Sequence, residues 1–137
     1  MKKIVIVFLV ALMACEAENL SSSYWGDGNY VGTFFRGTPT SLPSPVHVNI
    51  KIEGNKFEGE ADGRIPAICR GTFQMKNDST IQFTNECVFT ADFDWTYILQ
   101  GDFTMKVEEP FIYLTKRYPD NQTYDVYKME KVAVTKQ

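Results

Sequence analysis

From Val46 to Ile52 apolar and polar side chains alternate without a break, Val46, Val48, Ile50 and Ile52 against His47, Asn49 and Lys51. Successive side chains of an extended strand point to opposite faces, so this pattern buries one face and wets the other only as a β-strand. Gly54-Asn55 then turns the chain into residues 56–62, completing a hairpin. The same two-residue period recurs over residues 30–36, 70–76, 80–85, 95–106, 111–117 and 123–131, whereas no stretch after residue 20 repeats its apolar residues at helical spacing. Asn77-Asp78-Ser79, Glu108-Glu109-Pro110 and Pro119-Asp120-Asn121 leave only short links between runs, and short links make neighbouring strands antiparallel. Gly32, Gly59, Gly71 and Gly101 fall inside strand runs, where they permit the sharp bends by which a sheet curls onto itself. The expected fold is therefore all-β: an eight-stranded antiparallel up-and-down β-barrel, with a two-sheet β-sandwich as the alternative.

The cysteines test this register. A hairpin folded about Asp78 sets Phe73 opposite Phe83 and Met75 opposite Ile81, and at the same register Cys69 faces Cys87. A bulge at the turn would shift the pairing by one residue. In an oxidising compartment Cys69 and Cys87 are expected to form a disulfide, which for a loop of this size adds about 3 kcal/mol.

Composition narrows the function classes. Hydrophobic residues make up 44% of the 137-residue chain and aromatics 14%, enough to bury a core in one domain. The formal net charge of −3 repels phosphate backbones and argues against a nucleic-acid partner. One histidine and three cysteines give little material for a transition-metal site, and no pattern asks for a cofactor.

Met1-Lys2-Lys3 followed by an unbroken apolar run from Ile4 to Ala14 reads as a secretory leader, too short for a membrane span, with Glu16 and Glu18 where a span would continue. Its ending, Leu12-Met13-Ala14-Cys15, resembles the lipobox of bacterial lipoproteins. That resemblance implies cleavage before Cys15, acylation of Cys15, and a membrane partner reached through the lipid anchor. The organisation expected is a leader over residues 1–14, the lipidated cysteine and a polar tether over 15–23, a barrel domain over 24–131 and a tail over 132–137. Glu16-Ala-Glu18 resembles surface-export signals of Bacteroidota lipoproteins, so the expected location is the outer membrane of the cell envelope, on its periplasmic face or at the surface.

Behind that leader, Tyr30-Val-Gly-Thr-Phe34, Ile65-Pro-Ala-Ile-Cys69-Arg-Gly-Thr-Phe73, the run from Cys87 to Leu99, and Asp125-Val-Tyr-Lys-Met129 resemble blocks of the lipocalin-like, or calycin-like, small lipoproteins of Bacteroidota, over about residues 28–131. Gly32-Thr-Phe34 stands where true lipocalins carry Gly-x-Trp. The resemblance implies a barrel that binds a small hydrophobic or amphipathic ligand.

Residues carrying chemistry are few. His47 shares the polar face of its strand, and nothing in the sequence supplies the acid and nucleophile of a triad around it. Asp92 and Asp94 flank Phe93, so on an extended segment both carboxylates point the same way and are the sharpest acidic-site candidate; the competing reading is a pair of turn aspartates accepting backbone N–H bonds. If the barrel is hollow, the candidate ligand contacts are Trp25, Phe34, Arg36, Arg70, Phe93, Trp95 and Tyr97, with Asn85 among the polar groups. If it is filled, the protein is an accessory subunit of an envelope complex, its exposed apolar patch around Tyr24 and Trp25. Asp78-Ser79-Thr80 resembles the O-glycosylation acceptor of Bacteroidota. No residue is assigned a catalytic role, and the expected class is a binding or interaction module and not an enzyme.

Overall fold

The computed structural model describes residues 25–41 and 43–133. Cys15 and Tyr24 lie outside the described residues. Eight strands run β1 (Gly28–Gly37), β2 (Val46–Glu53), β3 (Lys56–Ala61), β4 (Cys69–Asn77), β5 (Thr80–Asn85), β6 (Gly101–Glu108), β7 (Phe111–Arg117) and β8 (Tyr124–Lys131). Each pairs antiparallel with its sequence neighbour, and β1 closes on β8, giving a closed up-and-down barrel. All strand edges are paired around one core, which Trp25 completes at one end, so residues 25–131 carry what the barrel needs to fold by itself.

The expected run over residues 95–106 is corrected at its start. Trp95–Tyr97 is a turn of 3-10 helix and the strand begins only at Gly101. The cause is local: the Asp94 carboxylate accepts from the Thr96 backbone N–H at 3.0 Å and from its hydroxyl at 2.7 Å, which competes with an extended ladder.

The hairpin register is as expected. Phe73 faces Phe83, Met75 faces Ile81 and Gly71 faces Asn85, and a one-residue shift is confined to the turn, where Asn77 meets Thr80. Cys69 and Cys87 form a disulfide with their Cα atoms 6.4 Å apart.

Because the strands alternate up and down, the two ends of the barrel differ. The lower end holds the tight hairpins at Gly54-Asn55, Asp78-Ser79 and Glu109-Pro110, together with Trp25, where the described chain enters. The upper end holds the four longer links, of which residues 86–100 form the longest, the flap.

Inward positions are apolar along most strands, for example Val48, Ile50 and Ile52 on β2 and Ile112 and Leu114 on β7, all buried. Through them runs a chain of touching rings from one end to the other. Trp25 meets Phe83 (6.4 Å between centroids), Phe83 meets Phe103 (5.7 Å), Phe103 meets Tyr127 (5.9 Å), Tyr127 meets Phe34 (4.8 Å) and Phe34 meets Tyr97 (6.3 Å). Most of these contacts are edge-to-face or tilted, the arrangements that the ring quadrupoles favour.

Gly32 and Gly71 occupy inward positions where a side chain would strike a neighbouring strand: a Cβ at Gly32 would collide with the Lys128 carbonyl, and one at Gly71 with the Thr84 carbonyl. Close approach of backbones is the reason glycine is required here. Gly71→Ala is expected to cost about 1–3 kcal/mol through forced strand separation, whereas Gln74→Ala, outward on the same strand, should stay within about 0.5 kcal/mol; urea unfolding midpoints of the two variants decide this.

Candidate functional site

At the upper end the inward row across β7, β8 and β1 is charged. Lys116 is the register partner of Asp125, and Asp125 is the register partner of Arg36. Arg36 is 8% exposed and Asp125 3%. Arg36 grips the carboxylate with two donors, Nε to Oδ1 at 2.6 Å and Nη2 to Oδ2 at 2.8 Å, the paired geometry that makes such contacts strong. Its remaining donors reach the flap, Nη1 to Thr96 Oγ1 at 2.8 Å and Nη2 to the Thr96 carbonyl at 2.9 Å. The Tyr118 hydroxyl oxygen also lies 2.8 Å from Nη2, whose two protons are thus shared among three acceptors. That hydroxyl stands 2.8 Å from Asp125 Oδ2 and 2.9 Å from the Thr96 carbonyl and has one proton to offer them.

Two rings lie close to the guanidinium, Tyr97 with its centroid at 3.7 Å and Tyr118 at 4.9 Å. Burial works against the Arg36 charge, but the hydrogen bonds and charge of Asp125 outweigh it and hold the guanidinium more firmly protonated than usual. Burial, then Asp125, pushes the Tyr118 hydroxyl above its ordinary range. Burial lowers the Lys116 ammonium, with Asp125 opposing and Arg36 reinforcing the fall; Lys116 Nζ donates to the Gln100 carbonyl at 2.9 Å.

This cluster is a latch. Through Thr96 and Tyr97 it pins the far end of the flap to the barrel wall, while the Cys69–Cys87 disulfide ties down the near end. Asn85 splints that near end further, donating to the Ile68 carbonyl at 2.7 Å and accepting from the Cys87 N–H at 2.9 Å. Between them Ala67 and Ile98 form a parallel bridge that joins the flap to the link between β3 and β4.

The sequence-derived candidates do not converge on one cavity. Phe34, Arg36 and Tyr97 meet at the upper end. Trp25 is buried at the opposite end against Tyr30, Phe73 and Phe83, so the expectation of an exposed patch there is corrected. Arg70 points away from the interior and lines an outer groove of about 230 Å³ with Glu58 and Glu86. Phe93 packs on Phe89 within the flap at 5.4 Å, and Trp95 is 60% exposed, its indole N–H on the Thr90 carbonyl at 3.2 Å. His47 is on the outer wall, lining a groove of about 360 Å³ with Val31, Phe111 and Lys128. Ser79 of the candidate glycosylation triplet is exposed at its hairpin tip.

Asp92 and Asp94 sit in the flap as turn formers. A hydrogen bond from the Thr90 side chain lowers Asp92, and hydrogen bonds from Thr96 lower Asp94. Neither carboxylate has the raised pKa that acid catalysis at neutral pH would use. No group of three or more metal-binding side chains occurs among the described residues.

Motifs and composition do not single out Asp125, Tyr118 or Thr96. The signal for Asp125 is parity: it lies on the inward side of β8 with Tyr127 and Met129, as Arg36 lies on the inward side of β1 with Tyr30 and Phe34. Opposite charges on the buried faces of two paired strands announce an internal ion pair.

Arg36→Met leaves the Asp125 carboxylate buried without its partner and should cost about 3–5 kcal/mol in chemical denaturation, while Arg36→Met combined with Asp125→Leu should recover much of that loss. The Asp94 pKa is lowered by folding, so its stabilising contribution is present above the unfolded value and is lost as pH falls through the folded one. The wild type should therefore lose flap protection in amide exchange below about pH 4, and Asp94→Asn should show weaker protection at neutral pH with less change on acidification.

The chain matches no family model, no curated protein and no solved structure.

Proposed function

We propose that this chain is a lipid-anchored protein of the bacterial cell envelope, held through Cys15 at the outer membrane, whose filled barrel acts as an interaction subunit of an envelope protein complex and not as an enzyme. The observation that carries this reading is the ring chain from Trp25 to Tyr97, which occupies the interior with the protein's own side chains. A ligand inside the barrel would have to displace Phe83, Phe103 and Tyr127, so recognition falls to the outer surface. Along β2 to β6 the wall is polar outside and mostly apolar inside, the reverse of a membrane-spanning barrel, which fits a domain standing off the bilayer on a tether.

On that surface the flap is the favoured contact. Val88 is 99% exposed and Trp95 60%, and both lie on a segment fixed at each end by the disulfide and the latch. Apolar side chains held in place before contact spare a partner the entropy of ordering them. The lowered pKa values of Asp92 and Asp94 favour a non-catalytic role for the pair.

Two measurements in the native cell test the reading. A photoreactive phenylalanine analogue at position 88 should give a discrete protein adduct that disappears with Trp95→Ser, and Cys15→Ser should abolish fatty-acid labelling and move the protein to the soluble fraction. Native mass spectrometry that finds a small molecule of constant mass on the extracted barrel, with no adduct at position 88, would instead make it a ligand carrier.

A further inference from the structure

The outer wall of the barrel is divided. Outward positions on β2 to β6 carry no aromatic residue; there Glu53, Glu58, Glu60, Asp102 and Glu108 are balanced by Lys51, Lys56, Arg70, Lys76 and Lys106. The outward aromatics Phe35, Phe111, Tyr113 and Tyr124 are confined to β7, β8 and β1. Cations overlie these rings: Lys128 Nζ is 4.0 Å from the Phe111 centroid and 5.9 Å from that of Tyr113, and the Arg117 guanidinium is 5.8 Å from that of Tyr124. Glu130 is the one carboxylate among the outward positions of these three strands. The four rings are half-buried, and at the lower edge Val31 and Val132 are exposed.

We infer that this face of β7, β8 and β1 rests on the headgroup layer of the bilayer, a reading that depends on the proposed Cys15 anchor. Three observations converge on that occupant. The described chain enters at Trp25, which packs on Phe73 and Phe83 across the lower mouth before β1 begins, so the segment from Cys15 to Tyr24 joins the barrel at its lower end; its ten residues reach at most about 35 Å, enough to set this wall on the membrane. The side chains are of the kind that suit a headgroup layer, two tyrosines with a polar tip, two phenylalanines, and cations whose stems lie along apolar surface. The far side of the wall balances its carboxylates with lysines and an arginine, whereas here Lys128 and Arg117 outnumber Glu130, so an anionic lipid surface meets a net positive charge on this face.

The test uses the chain from Ser21 onward, without an acyl group, so that its outcome is independent of the anchor; fatty-acid labelling of Cys15 reports the anchor separately. Sedimentation with vesicles of phosphatidylethanolamine and phosphatidylglycerol should show binding that Phe111→Ser with Tyr113→Ser weakens about tenfold. Both side chains face outward, and a thermal melt of the double variant checks the fold. Lys128→Glu, which removes no ring, should weaken binding to these vesicles and leave any residual binding to phosphatidylcholine vesicles unchanged. Absence of wild-type binding, or equal binding by the ring variants, overturns the inference. Self-association that the ring variants abolish, without vesicle binding, would assign the face to a second copy of the chain.

Discussion

Closure of β1 on β8 is the constraint on which every other part of the structure depends. Until Tyr30 meets Lys131 and Gly37 meets Tyr124 the sheet has two free edges and its inward faces have nothing to pack against. Once that seam is made, the inward residues of all eight strands share one volume, and filling it becomes a problem of fitting rings end to end. The seam also carries the costliest group in the molecule. Arg36 and Asp125 face each other in it, and a one-residue slip of β1 against β8 would turn Arg36 outward and bring Phe35 in while Asp125 stays inside. Leaving either charge inside without the other is expensive, so the pair penalises wrong closures more than it adds to the stability of the right one.

The division of labour between the two ends comes from the lengths of the links. Tight hairpins at the lower end leave little backbone to arrange, and a single indole covers the interior there. The upper end has long links, whose backbone polar groups need partners, and it meets that need with side chains: Asn85 to Ile68 and Cys87, Asp94 to Thr96, Arg36 to Thr96. Polar chemistry gathers where regular hydrogen-bonding ladders end.

Strand period and turn chemistry make the barrel legible, because both are local. The run at residues 46–52 and the hairpin about Asp78 can be read residue by residue, and the cysteine pairing comes with the register. Trp95–Tyr97 looks like a strand because its alternation continues into β6; the capping contact of Asp94 that bends it depends on one side chain and leaves no periodic trace. The latch is half legible. Arg36 reads as a polar group near a rim, but its partners lie 60 and 89 residues away, and pairing them requires knowing that the first strand meets the last. Arg70 joins it by composition alone, whereas its position on β4 sends it outward. Whether the interior is full cannot be read from parity, since a ring lining a cavity and a ring filling one occupy the same inward position.

The two fastenings of the flap differ in kind. The disulfide is covalent and indifferent to water, while the guanidinium clamp works only in the dry setting that the closed flap itself supplies. The sulfur link holds the flap nine residues before Thr96 and β6 holds it five residues after, so Thr96 cannot stray far from Arg36 and the clamp re-forms at a high effective concentration after each thermal excursion. In this arrangement the crosslink does for the upper end what a hinge does for a door with a spring catch: it keeps the catch within reach of its plate.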